Sequence, residues 1–287
     1  MNPTIERPSD LEFPLGDTLG GGAWRVTEHL RGGGSQQLFL GESTRPGDAE
    51  RGFVSMIWAP KGVPEAELRR TLGYRHAGVH ELAYLGTFDP RGDAERREAQ
   101  RQYCALVERV PEGEWLPRLL PGPLGVIGAI ALGRSLGALL QGAAKAGTLL
   151  VGARPEYVWA RRTGATLTAV SVSGRNWDFF AHTGGRCLVL GRLHERHYYA
   201  PEVYQELGER EASLCFTLAT MIAEWATGAF PFPESWAAGD MSSQCAGRHA
   251  PLDLPAPLAT LLSSCLAADP AQRPSLDELL ERLASPK

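Results

Sequence analysis

The amino-acid sequence reads as an α+β chain whose strands come first and whose helices follow. As far as Val110, short apolar runs rich in β-branched and aromatic residues (Trp24 to Leu30, Phe53 to Trp58, Tyr103 to Val110) alternate with glycine-rich or charged breaks, as strands and their turns do. Beyond that point the period changes. From Ile127 to Ala146, the residues Ile127, Ile130, Ala131, Leu132, Leu136, Leu139 and Leu140 recur at spacings near three and four, which gathers them on one face of a helix. Near the end, Ser275 with Glu278 three positions on forms a capping box ahead of a short helix from Leu276 to Leu283.

The 287 residues are 43% apolar and 22% charged, the balance of a chain with a real hydrophobic core. A formal charge of -4, from 29 basic and 33 acidic residues, supplies no basic field for nucleic acid or an anionic membrane. The five cysteines (Cys104, Cys187, Cys215, Cys245, Cys265) are odd in number and include no Cys-x-x-Cys pair, so neither a disulfide frame nor a zinc site is expected, and a cytoplasmic setting is. His182, His194 and His197 near Cys187 match no zinc spacing, so no metal is expected. Met1 is followed by Asn2, Pro3 and Thr4 rather than by a basic and then an apolar run, which is not a signal peptide. The most apolar segment, Leu124 to Leu132, is about nine residues against the roughly 20 needed to span a bilayer. The expectation is a soluble protein without membrane insertion.

Taken in order, residues 1 to 23 carry Pro3, Pro8, Pro14 and Gly20-Gly21-Gly22 and read as an N-terminal extension. The first strand starts at Trp24, and Arg31 to Gln36 turns it into a second through Leu38 to Leu40. Pro64 to Gly73 has a helical composition with a proline in the first turn. Glu81 to Thr87 and Tyr103 to Val110 are further strands, separated by the charged, solvated Asp89 to Gln102. Thr166 to Gly174 alternates like a strand, and Ala212 to Thr227 reads as a long apolar helix. Pro233 to Pro257 reads as loop and short turns.

Several motifs then stand in a fixed order. They are Leu106-Val107-Glu108-Arg109-Val110, Gly147-Thr148-Leu149-Leu150-Val151-Gly152-Ala153-Arg154-Pro155-Glu156-Tyr157-Val158, Tyr198-Tyr199-Ala200-Pro201-Glu202, Thr227-Gly228-Ala229-Phe230-Pro231-Phe232 and Asp269-Pro270-Ala271-Gln272-Arg273-Pro274. In that order and spacing, residues 24 to 283 resemble the eukaryotic-like Ser/Thr protein kinases: the hinge, the catalytic loop, the end of the activation segment, the end of a large-lobe helix and the closing motif. The resemblance implies a bilobal protein-kinase-like fold. A small antiparallel β lobe with one regulatory helix would occupy 24–109 and a mainly helical large lobe 110–287, behind the extension 1–23.

The resemblance keeps the family's frame and loses its chemistry. Phosphoryl transfer is positioning plus charge neutralisation: a lysine on the phosphates, two metal-holding side chains and an aspartate for the hydroxyl proton. In the matching positions stand Ile57 for the lysine, Gly152 for the catalytic aspartate, Tyr157 for the metal-holding asparagine, and Val170, or Ser171 with one residue inserted, for the second metal ligand. The aspartate that braces the catalytic loop is replaced by Leu214. Frame positions remain at Glu67, Pro155, Glu202, Gly228, Asp269 and Arg273, and Glu202 with Arg273 is expected to be a structural ion pair. The resemblance thus implies a pseudokinase with no catalytic residue, metal or cofactor. It would be a protein-binding scaffold or allosteric regulator in Ser/Thr kinase signalling, its partner an active Ser/Thr kinase or a phosphopeptide-binding domain. The alternative is an unorthodox nucleotide-dependent transferase using the displaced residues Lys61, Arg154 or Glu67. Gly174 to Tyr198 takes the place of the activation segment and carries Trp177, Phe179 and Phe180, which either fill the cleft or form a partner-binding patch.

Overall fold

The computed structural model of the chain describes residues 15–16, 18–19, 21–33, 36–46, 50–60, 78, 82–88, 101–109, 113–146, 149–150, 153–172, 198–205, 211–238 and 240–285. It is a mixed α+β structure of two compact units, Met1–Arg75 with Glu81–Val110, and His76–His80 with Pro111–Lys287.

The first unit is built on a six-stranded antiparallel sheet: β1 (Thr18–Leu19), β2 (Trp24–Gly33), β3 (Gln36–Ser43), β4 (Arg51–Pro60), β5 (Leu82–Phe88) and β6 (Arg101–Arg109), in the order β1-β2-β3-β4-β6-β5. Register explains its core. Phe39 faces Val54 across β3 and β4, and Val54 faces Val107 across β4 and β6, so the three line up on one face. They are buried together with Leu19, Trp24, Val26 and Ala105. Irregularities in β2 after Val26 and His29, and in β5 after Tyr84, curl the sheet over this face. Gly41 and Gly52 are paired beside the Trp24 ring, and a Cβ on Gly52 would lie 2.9 Å from that ring and 2.8 Å from Val107. Glycine there is what lets the indole approach the sheet so closely. The sheet begins inside the stretch read as an extension, because Thr18 and Leu19 pair with Arg25 and Trp24. Ile57 lies in β4, in register with Gln36 and Cys104. The helix read at Pro64 to Gly73, with Lys61 and Glu67, lies outside the described residues.

The second unit opens with β7 (Glu114–Trp115), a short α1 (Leu116–Leu119) and the long α2 (Gly125–Lys145). A hairpin of β8 (Val158–Thr163) and β9 (Thr166–Val172) adds to β7 in a three-stranded antiparallel sheet. There follow α3 (Pro201–Tyr204), α4 (Glu211–Thr227), α5 (Pro233–Ala238), α6 (Ser242–Cys245), α7 (Ala256–Cys265) and α8 (Leu276–Ala284). α5 and α6 fall in the stretch read as loop and short turns.

Residues 213–223 of α4 are all buried, so this helix has no solvent face for most of its length and is the unit's axis. Against it pack α2, α7 and α8. Gly133 and Gly137 of α2 permit the closest approach, since a Cβ on them would stand 2.5 Å from Ile222 and 2.4 Å from Leu280. α2 is longer and more apolar than the nine-residue run suggested, because its glycines and alanines extend the apolar character. At 21 residues and a mean hydropathy of 1.4 over its most apolar window, it is long and apolar enough, by length and composition only, to cross a membrane. Leu132, Leu136 and Leu140 of the same helix are fully buried in the unit's core. α8 carries its capping box: the Ser275 hydroxyl accepts from the Glu278 amide, and Glu278 Oε2 accepts from the Ser275 amide at 2.7 Å. The Ser275 amide and hydroxyl, both donating to Glu278 Oε2, hold the Glu278 carboxyl below its ordinary pKa.

Candidate functional site

Within the stretch from Gly147 to Val158, residues 149–150 and 153–158 are described, and Gly152 is not. Arg154 is fully extended (φ -154°, ψ 163°), and Pro155 then starts a single 3-10 turn, Pro155–Tyr157, that runs into β8. Proline suits that position, having no amide to leave unpaired and a φ already preset for the turn. The Tyr157 amide donates to the Arg154 carbonyl at 2.9 Å, and Trp115 Nε1 of β7 donates to the Glu156 carbonyl at 2.9 Å.

This tight turn folds Arg154 back on Tyr157. The guanidinium lies 4.1 Å from the ring centroid and donates to the phenol oxygen, while Nε stands 3.8 Å from Glu156 Oε2. Arg154 and Tyr157 are only 4% and 5% exposed. Tyr157 is thus a buried ring with a cation over it.

Beside this turn by charge stands a second pair. The Tyr198 hydroxyl donates to Glu224 Oε2 of α4 at 2.7 Å, the Tyr198 carbonyl accepts from Thr217 at 2.9 Å, and its ring meets Phe230 edge-on at 5.7 Å. Burial, then the Glu224 charge, pushes the Tyr198 hydroxyl far above its ordinary pKa, against a smaller opposing pull from Arg154. Burial also raises the Glu224 carboxyl above 4.5, with Glu156 adding to the rise and the Tyr198 bond opposing it. Because the folded Glu224 holds its proton more tightly than the unfolded chain does, its contribution is full below the ordinary value and is lost as pH rises through the folded one. Glu224→Gln keeps an oxygen for Tyr198 and removes the titrating group, with the cost of burying or protonating it. It should therefore raise the melting temperature at pH 7, by an amount on the order of 1 kcal/mol of stability, and leave it unchanged near pH 3. An equal or lower melting temperature at pH 7 would show that burial of the carboxyl costs no stability there.

Glu202 and Arg273 meet in a bidentate pair, Nη1 to Oε1 at 2.7 Å and Nη2 to Oε2 at 2.9 Å, with side chains 2% and 0% exposed. Arg273 also donates to the carbonyls of Ala267, Ala268 and Ala212, and Ser213 Oγ donates to Glu202 Oε1 at 2.6 Å. This cluster fastens α3 and α4 to the turn before α8.

Val170 and Ser171 both lie in β9. Ser171 faces Trp159 and Ala169 faces Ala160, so Val170 is the extra residue of a bulge. Ser171 is buried, and its hydroxyl has no hydrogen-bond partner among the described residues. No group of three or more His, Cys, Asp or Glu among the described residues is placed to hold a metal ion. Burial raises the Cys215 thiol well above its ordinary range and Cys265 to about 12, so both stay protonated and unreactive. Trp177, Phe179 and Phe180 lie outside the described residues. Sequence reasoning missed Glu224 and Tyr198 as a pair. The available signal was Glu224 itself, a carboxylate that follows a long run of buried residues in the helix and calls for a partner.

No family model matches the chain. Among characterised proteins, Serine/threonine-protein kinase 12 of Arabidopsis thaliana is similar to it, 33% identical over 94 residues that make up 31% of this chain and 20% of the relative. The match covers a fifth of that relative's length, and it shows a likeness between a short stretch of this chain and a serine/threonine-protein kinase.

Proposed function

We propose that the chain is a cytoplasmic pseudokinase with a bilobal kinase-like fold, its lobes at 24–109 and 110–287 behind an extension. It works without catalysis, as a protein-binding scaffold or allosteric regulator of an active Ser/Thr kinase or a phosphopeptide-binding domain. The observation that carries this reading is the state of the catalytic-loop turn. Where phosphoryl transfer needs a metal-holding amide, Tyr157 is buried against Arg154, which is itself 4% exposed. The Glu202–Arg273 pair keeps a frame position of the resemblance, so what remains useful is a shaped surface. The short likeness to a Ser/Thr kinase supports the same reading.

The candidate surface is the segment from Gly174 to Tyr198, with Trp177, Phe179 and Phe180 as anchors. Aromatic anchors at protein interfaces often contribute about 2 kcal/mol or more each. Changing Trp177 and Phe179 together to Ala should abolish co-purification of a partner with the tagged protein while leaving the melting temperature close to the parent's. A lowered melting temperature with the partner still bound would instead place these rings in the protein's own interior. The unorthodox transferase makes a different forecast, a rise in melting temperature with millimolar ATP that grows when magnesium is added. The pseudokinase reading expects no such magnesium effect, because the lysine position is Ile57 and the two metal-holding positions are Tyr157 and Val170 or Ser171.

A further inference from the structure

We draw no further inference here: the strongest candidate, the open groove between the end of α7 and the first turns of α8 lined by Ser264, Gln272, Arg273, Glu278, Glu281 and Arg282, has as its buried member only Arg273, which spends its donors on Glu202 and the carbonyls of Ala212, Ala267 and Ala268, and nothing in the structure shows what covers it.

Discussion

Arg273→Ala should melt roughly 10 °C below the parent, or fail to accumulate as soluble protein. The side chain is fully buried and donates to both oxygens of Glu202 and to the carbonyls of Ala212, Ala267 and Ala268. Deleting it leaves the Glu202 carboxylate in the interior with only the Ser213 hydroxyl, and strips donors from three backbone carbonyls. Removing one partner of a buried pair typically costs about 3–5 kcal/mol, since the remaining charge is left desolvated. For a domain of this size each kcal/mol shifts the midpoint by about 2–4 °C. Arg273→Lys separates charge from geometry. It keeps the cation, but an ammonium cannot reach both carboxylate oxygens and the carbonyls from one position, so it should recover only part of the loss. A calorimetric midpoint for Arg273→Ala within about a degree of the parent would mean that the pair contributes nothing to stability.

The α+β class was legible because the elements that define it carry strong local patterns. β4 is a run of apolar and β-branched residues, α2 keeps its apolar face for twenty positions, and α8 announces its start through Ser275 and Glu278. The two-residue strands β1 and β7 were not legible, since two residues have no period, and each exists only because a neighbouring strand supplies its hydrogen bonds. The bulge at Val170 was hidden for a related reason. Alternation runs through β9 without a visible break, and only pairing with β8 shows which residue is extra.

The candidate site divides in the same way. Arg154 and Tyr157 are three residues apart, and the turn that joins them is encoded by Pro155 between them. Glu202 and Arg273 are 71 residues apart and can be connected only by motif resemblance, never by a local pattern. Tyr198 and Glu224, 26 residues apart, lie in a motif and in a separate helix, with nothing in either to join them. The buried environment that raises both groups is a property of the assembled unit, which spacing does not report.

Leu214→Asp should leave the protein unfolded or insoluble. The resemblance puts an aspartate at this position, where it would brace a working catalytic loop. In this chain Leu214 is fully buried near the start of α4, within the band 213–223 that never reaches solvent. Losing the leucine costs about 2–5 kcal/mol in transfer and cavity terms. An uncompensated carboxylate in its place adds several kcal/mol more. Together these approach the whole stability of an ordinary domain, about 5–15 kcal/mol. Leu214→Met, which conserves volume and polarity, should stay within about 1.5 kcal/mol of the parent and so separates charge from shape. Soluble yield and thermal midpoint of the two variants decide the matter. If Leu214→Asp folds and melts within a few degrees of the parent, the backbone around α4 still offers donors for a carboxylate. In that case the bracing position that the resemblance implies would still accept its carboxylate, and the proposed pseudokinase reading would have to rest on the loop positions alone. Failure of Leu214→Asp alongside an intact Leu214→Met would show that this site has been repacked as apolar core, with nothing left there to hold a catalytic loop in register.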